Sequence, residues 1–242
     1  MIVSHKYKFI FIKTHKTAGS SMEMALGPLC GADDVIPSME TNLDSGVPRN
    51  YHEPTWIGRT YASSRLFRKL IHRHSPLLGN WYYEHMAATR VRELIGEDVW
   101  NSYYKFCFER NPWAKVVSYY NWKTIGQGRK LPPFDEWVLQ KSHRLPRDAD
   151  LYFDGQTCLM DDVFDFDNFR GTFQSICDRL GIPFNGEMPR EKTNITKEKP
   201  RYQDFYSDET REKVASLYQR EIELMGYSFE PLTASESSRV AA

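Results

Sequence analysis

Long apolar runs are missing from this chain of 242 residues. None approaches the roughly 20 consecutive apolar residues of a membrane-spanning helix, so no transmembrane segment is expected. Net charge is missing too: 32 Lys and Arg balance 32 Asp and Glu. That balance excludes a globally basic nucleic-acid binder and leaves only local patches to weigh. Cysteine is scarce, with Cys30, Cys107, Cys158 and Cys177 in no C-x-x-C spacing. A zinc ribbon and a thioredoxin-like pair are therefore disfavoured, and the four read as free, mostly buried thiols. No Pro/Gly/Ser linker separates two periodic halves, so residues 1–232 are expected to form one domain. Residues 233–242 are small and polar and read as a frayed tail. Met1 to Lys6 run almost directly into an apolar strand with no room for a signal peptide, and a cytoplasmic protein is the expectation.

What is present begins with FIFIKTHKTAGSSMEMAL, residues 9–26. Tyr7 to Ile12 is aromatic and β-branched without polar interruption, as in a strand buried on both faces of a parallel sheet. From Ser20 onward the residues are mostly good helix formers, and Ser20 with Glu23 fits a capping box. Gly19 therefore falls in a strand-to-helix turn, where backbone N–H groups and the positive helix end make an anion site. Lys16, Thr17, Ser20 and Ser21 add charge and hydroxyl donors. The general phosphate loop G-x-x-x-x-G-K-[ST] is not written here, because Lys16 precedes the only glycine of the stretch.

A second strand, turn and helix follows. SYYKFCF at 102–108 reads as a strand, Asn111 as a cap and Pro112 as the first helical residue. Arg110 stands at the strand end and Ser118 along the helix, so both are candidates to hold one ligand at the carboxyl edge of the sheet. Residues 31–60 read as a long surface excursion, and Arg59 to His74 as a basic amphipathic helix suited to an anionic substrate. A helix is expected over about 85–95, a third strand over 163–169, a helix over 171–180 ending at Gly181, and a last helix over 207–225. This alternation predicts a parallel sheet between helical layers. Asp165 and Asp167 form a D-x-D, more often the polar face of a strand than a metal-bound nucleotide-sugar site.

With both segments in view, the chain resembles the sulfotransferases that use 3′-phosphoadenosine-5′-phosphosulfate, particularly the carbohydrate type related to heparan 2-O and chondroitin sulfotransferases. The family pattern P-K-T-x-x-[ST]-[ST] is met by His15 to Ser21, with His15 in place of the usual proline. An arginine at a strand end with a serine eight residues on is met by Arg110 and Ser118 within FERNPWAKVVS. Weaker similarity in EHMAATRVRELIG, DRLGI and DFYSDETREKVASLYQREIELMGYSF extends over most of the chain, leaving 31–80 as an unmatched acceptor-side region. The resemblance implies a three-layer, P-loop-kinase-like α/β fold with a central parallel sheet flanked by helices. It implies the phosphosulfate as donor, 3′-phosphoadenosine-5′-phosphate as product, no metal, and a hydroxyl-bearing acceptor, a saccharide or glycan.

For the site residues, the resemblance makes Lys16 the stabiliser of the departing bridge oxygen and Thr17, Ala18, Gly19, Ser20 and Ser21 the cradle of the 5′-phosphate. Arg110 and Ser118 would grip the 3′-phosphate, and Lys192, Thr193, Asn194 and Lys197 of a C-terminal basic loop would cover the nucleotide. His85 is favoured as general base, with Glu23 competing; His52, His72 and His74 are lesser candidates. Two other classes compete for the whole chain. A nucleotide or small-molecule kinase would share the strand-loop-helix site but use magnesium, and a non-catalytic nucleotide- or glycan-binding module would bind without turnover.

Overall fold

The apolar run after Tyr7 becomes the centre of a sheet. In the computed structural model, which describes residues 1–37, 49–51, 56–57, 60, 64–71, 82–184 and 200–230, the elements run as follows. β1 (Ile2–Ser4) and β2 (Phe9–Ile12) lead into α1 (Gly19–Leu26); α2 (Arg65–Leu70), α3 (Ala88–Ile95) and α4 (Glu97–Ser102) precede β3 (Tyr104–Glu109). Then come α5 (Pro112–Asn121), α6 (Phe134–Lys141), α7 (Ala149–Tyr152), the two-residue strands β4 (Phe153–Asp154) and β5 (Thr157–Cys158), and β6 (Asp162–Asp165). α8 (Phe169–Leu180), α9 (Asp208–Leu217) and α10 (Gln219–Met225) complete the order.

The main sheet has the order β1-β2-β3-β6. β2 and β3 are parallel with Phe11 opposite Phe106, and β3 and β6 are parallel with Phe108 opposite Phe164. β1 pairs antiparallel with β2, a departure from the all-parallel expectation. The short link of residues 5–8 allows only a hairpin, since a parallel return needs a long crossover.

Alternation along the strands divides the core. Phe9, Phe11, Phe106 and Phe108 meet Met22 and Leu26 of α1 and Phe173 and Ile176 of α8 on one face. Ile10, Ile12 and Cys107 meet Val91 of α3, Trp100 of α4 and Ala149 and Tyr152 of α7 on the other. Helices thus cover both faces, giving the three-layer α/β plan. A third apolar cluster joins Trp113 and Val116 of α5 to Trp137 of α6 and Val214 of α9. Each large apolar side chain buried in these clusters is worth about 1.5–3 kcal/mol. All four cysteines are free, with Cys30, Cys107 and Cys177 buried and Cys158 half-buried.

Several boundaries move. The helix expected from residue 85 starts at Ala88, because His85 adopts φ 51° and cannot continue a right-handed helix. The strand expected over 163–169 ends at Asp165, whose carboxylate accepts the Asp167 N–H and turns the chain into one 3-10 turn. The last helix is two, broken at Tyr218. Of the basic helix expected over 59–74, the described part is Arg65–Leu70. The 233–242 tail lies outside the described residues.

Candidate active site

Because β2, β3 and β6 are parallel, their carboxyl ends meet at one edge, the usual ligand edge of an open α/β sheet. The loop from Lys13 to Ala18 leaves β2 there. Its shape depends on two non-glycine residues with positive φ, Lys16 at 61° and Ala18 at 54°. Such conformations cost free energy and persist only where the surroundings hold them. Here the Thr14 hydroxyl donates to the Phe108 carbonyl of β3 and lies 2.8 Å from the Thr17 hydroxyl. The Thr17 hydroxyl also reaches the Thr14 carbonyl at 3.3 Å, so it braces the loop from within.

The capping box expected between Ser20 and Glu23 does not form. α1 starts at Gly19, and its N-cap is Ala18 in the left-handed region, with no side-chain cap. The Met22 N–H is bonded to the Ala18 carbonyl at 3.1 Å, so the N–H groups before it point into the loop with the positive end of the helix.

Glu23 instead faces inward, 2% exposed, beneath the loop. Its Oε2 accepts from Lys13 Nζ at 2.7 Å and its Oε1 from the Met1 nitrogen at 2.6 Å, while Lys13 Nζ also reaches Glu84 Oε1 at 2.9 Å. Burial works against both charges, but the Met1 and Lys13 charges hold the Glu23 carboxyl below its ordinary value, and Glu23 and Glu84 hold Lys13 above its own. Gly19 is required by this arrangement. A Cβ there would stand 2.6 Å from Lys13 Cγ, in the middle of a side chain pinned at its far end.

A second buried network supports the other side of the loop. Asp148 accepts from the His15 backbone N–H at 2.9 Å, pairs with His15 Nδ1 at 2.6 Å and pairs with Lys115 Nζ at 2.7 Å. Lys115 also pairs with Glu109, whose other oxygen accepts from the Tyr152 hydroxyl at 3.0 Å. Burial pushes Glu109 up to about 7, against the pull of Lys115. Burial opposes the Asp148 charge as well, yet Lys115 and His15 hold it down at about 2. His15 in turn carries the His85 ring, stacked at 3.7 Å between centroids and 8° from parallel. Burial, the neighbouring His15 and Lys13 lower the His85 pKa to about 3. With His85 neutral, its Nδ1–H donates to the Lys13 carbonyl at 2.9 Å and Nε2 keeps the lone pair.

Arg110 leaves the end of β3 beside the loop, its Nη1 3.5 Å from the Lys16 carbonyl and its guanidinium over the Phe166 ring at 4.8 Å. Its Nε is buried with no hydrogen-bond partner among the described residues. Burial lowers the Arg110 pKa, while Asp167, Tyr227 and Asp165 act the other way. An orphaned buried guanidinium nitrogen costs free energy unless something fills the space, and an oxyanion has the matching chemistry. Asn111 caps α5 as expected, accepting from the Trp113 and Ala114 N–H groups. Ser118 is half-buried on the same helix. One turn further, the 41% exposed Trp122 opens a short π-helix, with Lys16 Nζ 5.3 Å from its ring.

Lys16, Thr17, Ala18, Gly19, Ser20, Ser21, Arg110 and His85 thus meet at one edge through the loop contacts above. Glu23 sits under it. His52, His72, His74, Lys192, Thr193, Asn194 and Lys197 lie outside the described residues. Sequence reasoning missed Lys13, Glu84, Asp148, Lys115 and Glu109, which hold the loop from below. The only trace of them is Lys13 and Glu109, charges that directly end or follow apolar strands.

Comparison with known proteins bears on this geometry. An uncharacterized protein of Archaeoglobus fulgidus is 54% identical over 35 residues, 14% of this chain and 29% of that protein, so the match spans under a third of its length. A crystal structure of a sulfotransferase from Alicyclobacillus acidocaldarius superposes with a TM-score of 0.45 and 17% identity, covering 92% of this chain and 96% of that one. Residues 1–228 match the model of the sulfotransferase family, and over that length the chain belongs to this family.

Proposed function

We propose that the chain transfers a sulfuryl group from 3′-phosphoadenosine-5′-phosphosulfate to a hydroxyl of an acceptor, with a saccharide as acceptor class. The observation that carries the reading is Arg110: a buried guanidinium, with one nitrogen unpartnered among the described residues, beside a strained loop that contains no full phosphate-loop sequence. A donor with a second phosphate away from its reacting end fits that pair of sites.

When bound, the donor supplies a sulfuryl group already activated by its phosphate bridge. The chain's own part is positioning and charge. N–H groups of the loop and first turn of α1 hold the 5′-phosphate, and Lys16 concentrates positive charge where the bridge oxygen departs. Thr17 contributes through its backbone, since its hydroxyl is committed to Thr14. Arg110 and Ser118 hold the 3′-phosphate. His85 Nε2 takes the acceptor proton, a role supported by the way the ring is fixed through Nδ1 to the Lys13 carbonyl. Glu23 is the poorer base, because both carboxylate oxygens are held in charge pairs.

Calorimetric titration with 3′-phosphoadenosine-5′-phosphate, adenosine 5′-phosphate, and adenosine triphosphate with magnesium tests the reading. The bisphosphate is expected to bind tightest without metal, and Arg110→Ala to weaken it by about 2 kcal/mol, near thirtyfold. Preference for the triphosphate with magnesium would move the assignment to a kinase. Binding without metal but no turnover with any saccharide would leave a binding module.

A further inference from the structure

His15 occupies the position where the resemblance expects proline, a residue with no backbone N–H and no side-chain hydrogen-bonding group. The structure uses both features that proline lacks. The His15 N–H donates to Asp148 Oδ2 at 2.9 Å and the ring Nδ1 pairs with Asp148 Oδ1 at 2.6 Å. Asp148 is itself fully buried and fixed by Lys115, so the anchor is rigid. The ring face of His15 carries His85, parallel within 8° at 3.7 Å. His85 sits at φ 51°, a backbone conformation that a histidine holds only when contacts impose it.

We propose that His15 is a positioning residue that registers the donor loop and the acceptor-side base on one carboxylate. Its backbone N–H ties the loop to Asp148, and its imidazole ring, clamped by the same Asp148, forms the platform on which His85 lies. A stiff proline would fix the loop alone. Histidine fixes the loop and the base together, so that Nε2 of His85 stands next to the residue preceding Lys16. The inference rests on the assignment of His85 as base in the proposed reaction, but its contacts do not.

The groups facing His85 define how this is read. His15 and Lys13 lower its proton affinity, Asp148 raises it, and Lys13 is itself paired with Glu23 and Glu84. Burial is the largest influence, and the His15 ring supplies one wall of that burial. Removing the wall is therefore expected to let water in and move the midpoint upward.

The test is an NMR titration of the His85 ring in the full chain, assigned with His85→Gln, for wild type, His15→Ala and His15→Phe. In wild type the ring is expected to titrate well below the ordinary histidine range. His15→Ala is expected to raise the midpoint by at least one pH unit. His15→Phe, which keeps a flat ring and the backbone N–H but loses the Nδ1 pairing, is expected to raise it by clearly less than His15→Ala. An ordinary midpoint in wild type, an unchanged one in His15→Ala, or an equal rise in both variants would overturn the proposal. Side chain 15 is 31% exposed, and Asp148 keeps Lys115 and the residue-15 backbone N–H in both variants. Turnover of His85→Gln would overturn the base assignment and leave this titration unaffected.

Discussion

A single buried lysine beneath the loop holds it in place. Lys13 bridges Glu23 on α1 and Glu84 on the segment before α3, with 4% of its own surface exposed. Breaking a buried pair by removing one partner costs about 3–5 kcal/mol, because the remaining charges stay buried. Lys13→Met is expected to lower the unfolding free energy by that amount in urea denaturation. Gly19→Ala pushes on the same lysine from above, at Cγ. An expected destabilisation of about 1–3 kcal/mol should come with weaker binding of 3′-phosphoadenosine-5′-phosphate. Unchanged stability in Gly19→Ala would mean that Lys13 yields freely and does not brace the loop. None of this was legible beforehand: a lysine after four apolar residues reads as the polar end of a strand, and its partners lie 10 and 71 residues away. The places of Lys16, Gly19 and Arg110 at the strand ends were legible because they follow from neighbours in sequence.

At the scale of elements, what could be read was what is local. β2, β3 and the Asn111–Pro112 start of α5 each announce themselves within a few residues. The start of α1 did not, because its cap is a backbone conformation of Ala18 and no side chain encodes it. The start of α3 was misplaced for a like reason, since His85 is held left-handed by contacts with His15 and Lys13. α9 is the contrasting case. Ser207 and Thr210 form a reciprocal capping box, and both hydroxyls also meet Asp135 Oδ1 at the start of α6. Ser207→Ala is expected to cost about 1 kcal/mol and to lower Tm by about 2–4 °C. Binding of the bisphosphate should be unchanged, because this end of α9 joins the third apolar cluster and not the loop. A loss of affinity would show that the α6–α9 contact reaches the site.

For the whole molecule, the site's chemistry should appear in the dependence of stability on pH. His85 in the folded chain has its proton affinity lowered to about 3 by burial and by its neighbours His15 and Lys13, against an ordinary value near 6.5. As pH falls from 6.5 toward 3, the unfolded chain takes up a proton at this residue and the folded chain does not. The unfolded state therefore gains, and stability is lost by up to about 1.4 kcal/mol per pH unit. Glu109, pushed up to about 7, acts oppositely: the folded chain takes its proton first as pH falls to 4.5, and that stabilises. Asp148, held at about 2, keeps its contribution until pH drops below its ordinary carboxylate range. Wild type alone would mix these trends. The comparison with His85→Gln separates them, since Glu109 and Asp148 are common to both and cancel in the difference. Between pH 6.5 and 4.5 the variant is expected to lose about 2 kcal/mol less than wild type in urea titrations. Parallel curves would mean that His85 titrates alike in the folded and unfolded chain, and that burial against His15 and Lys13 does not keep the proton off its ring.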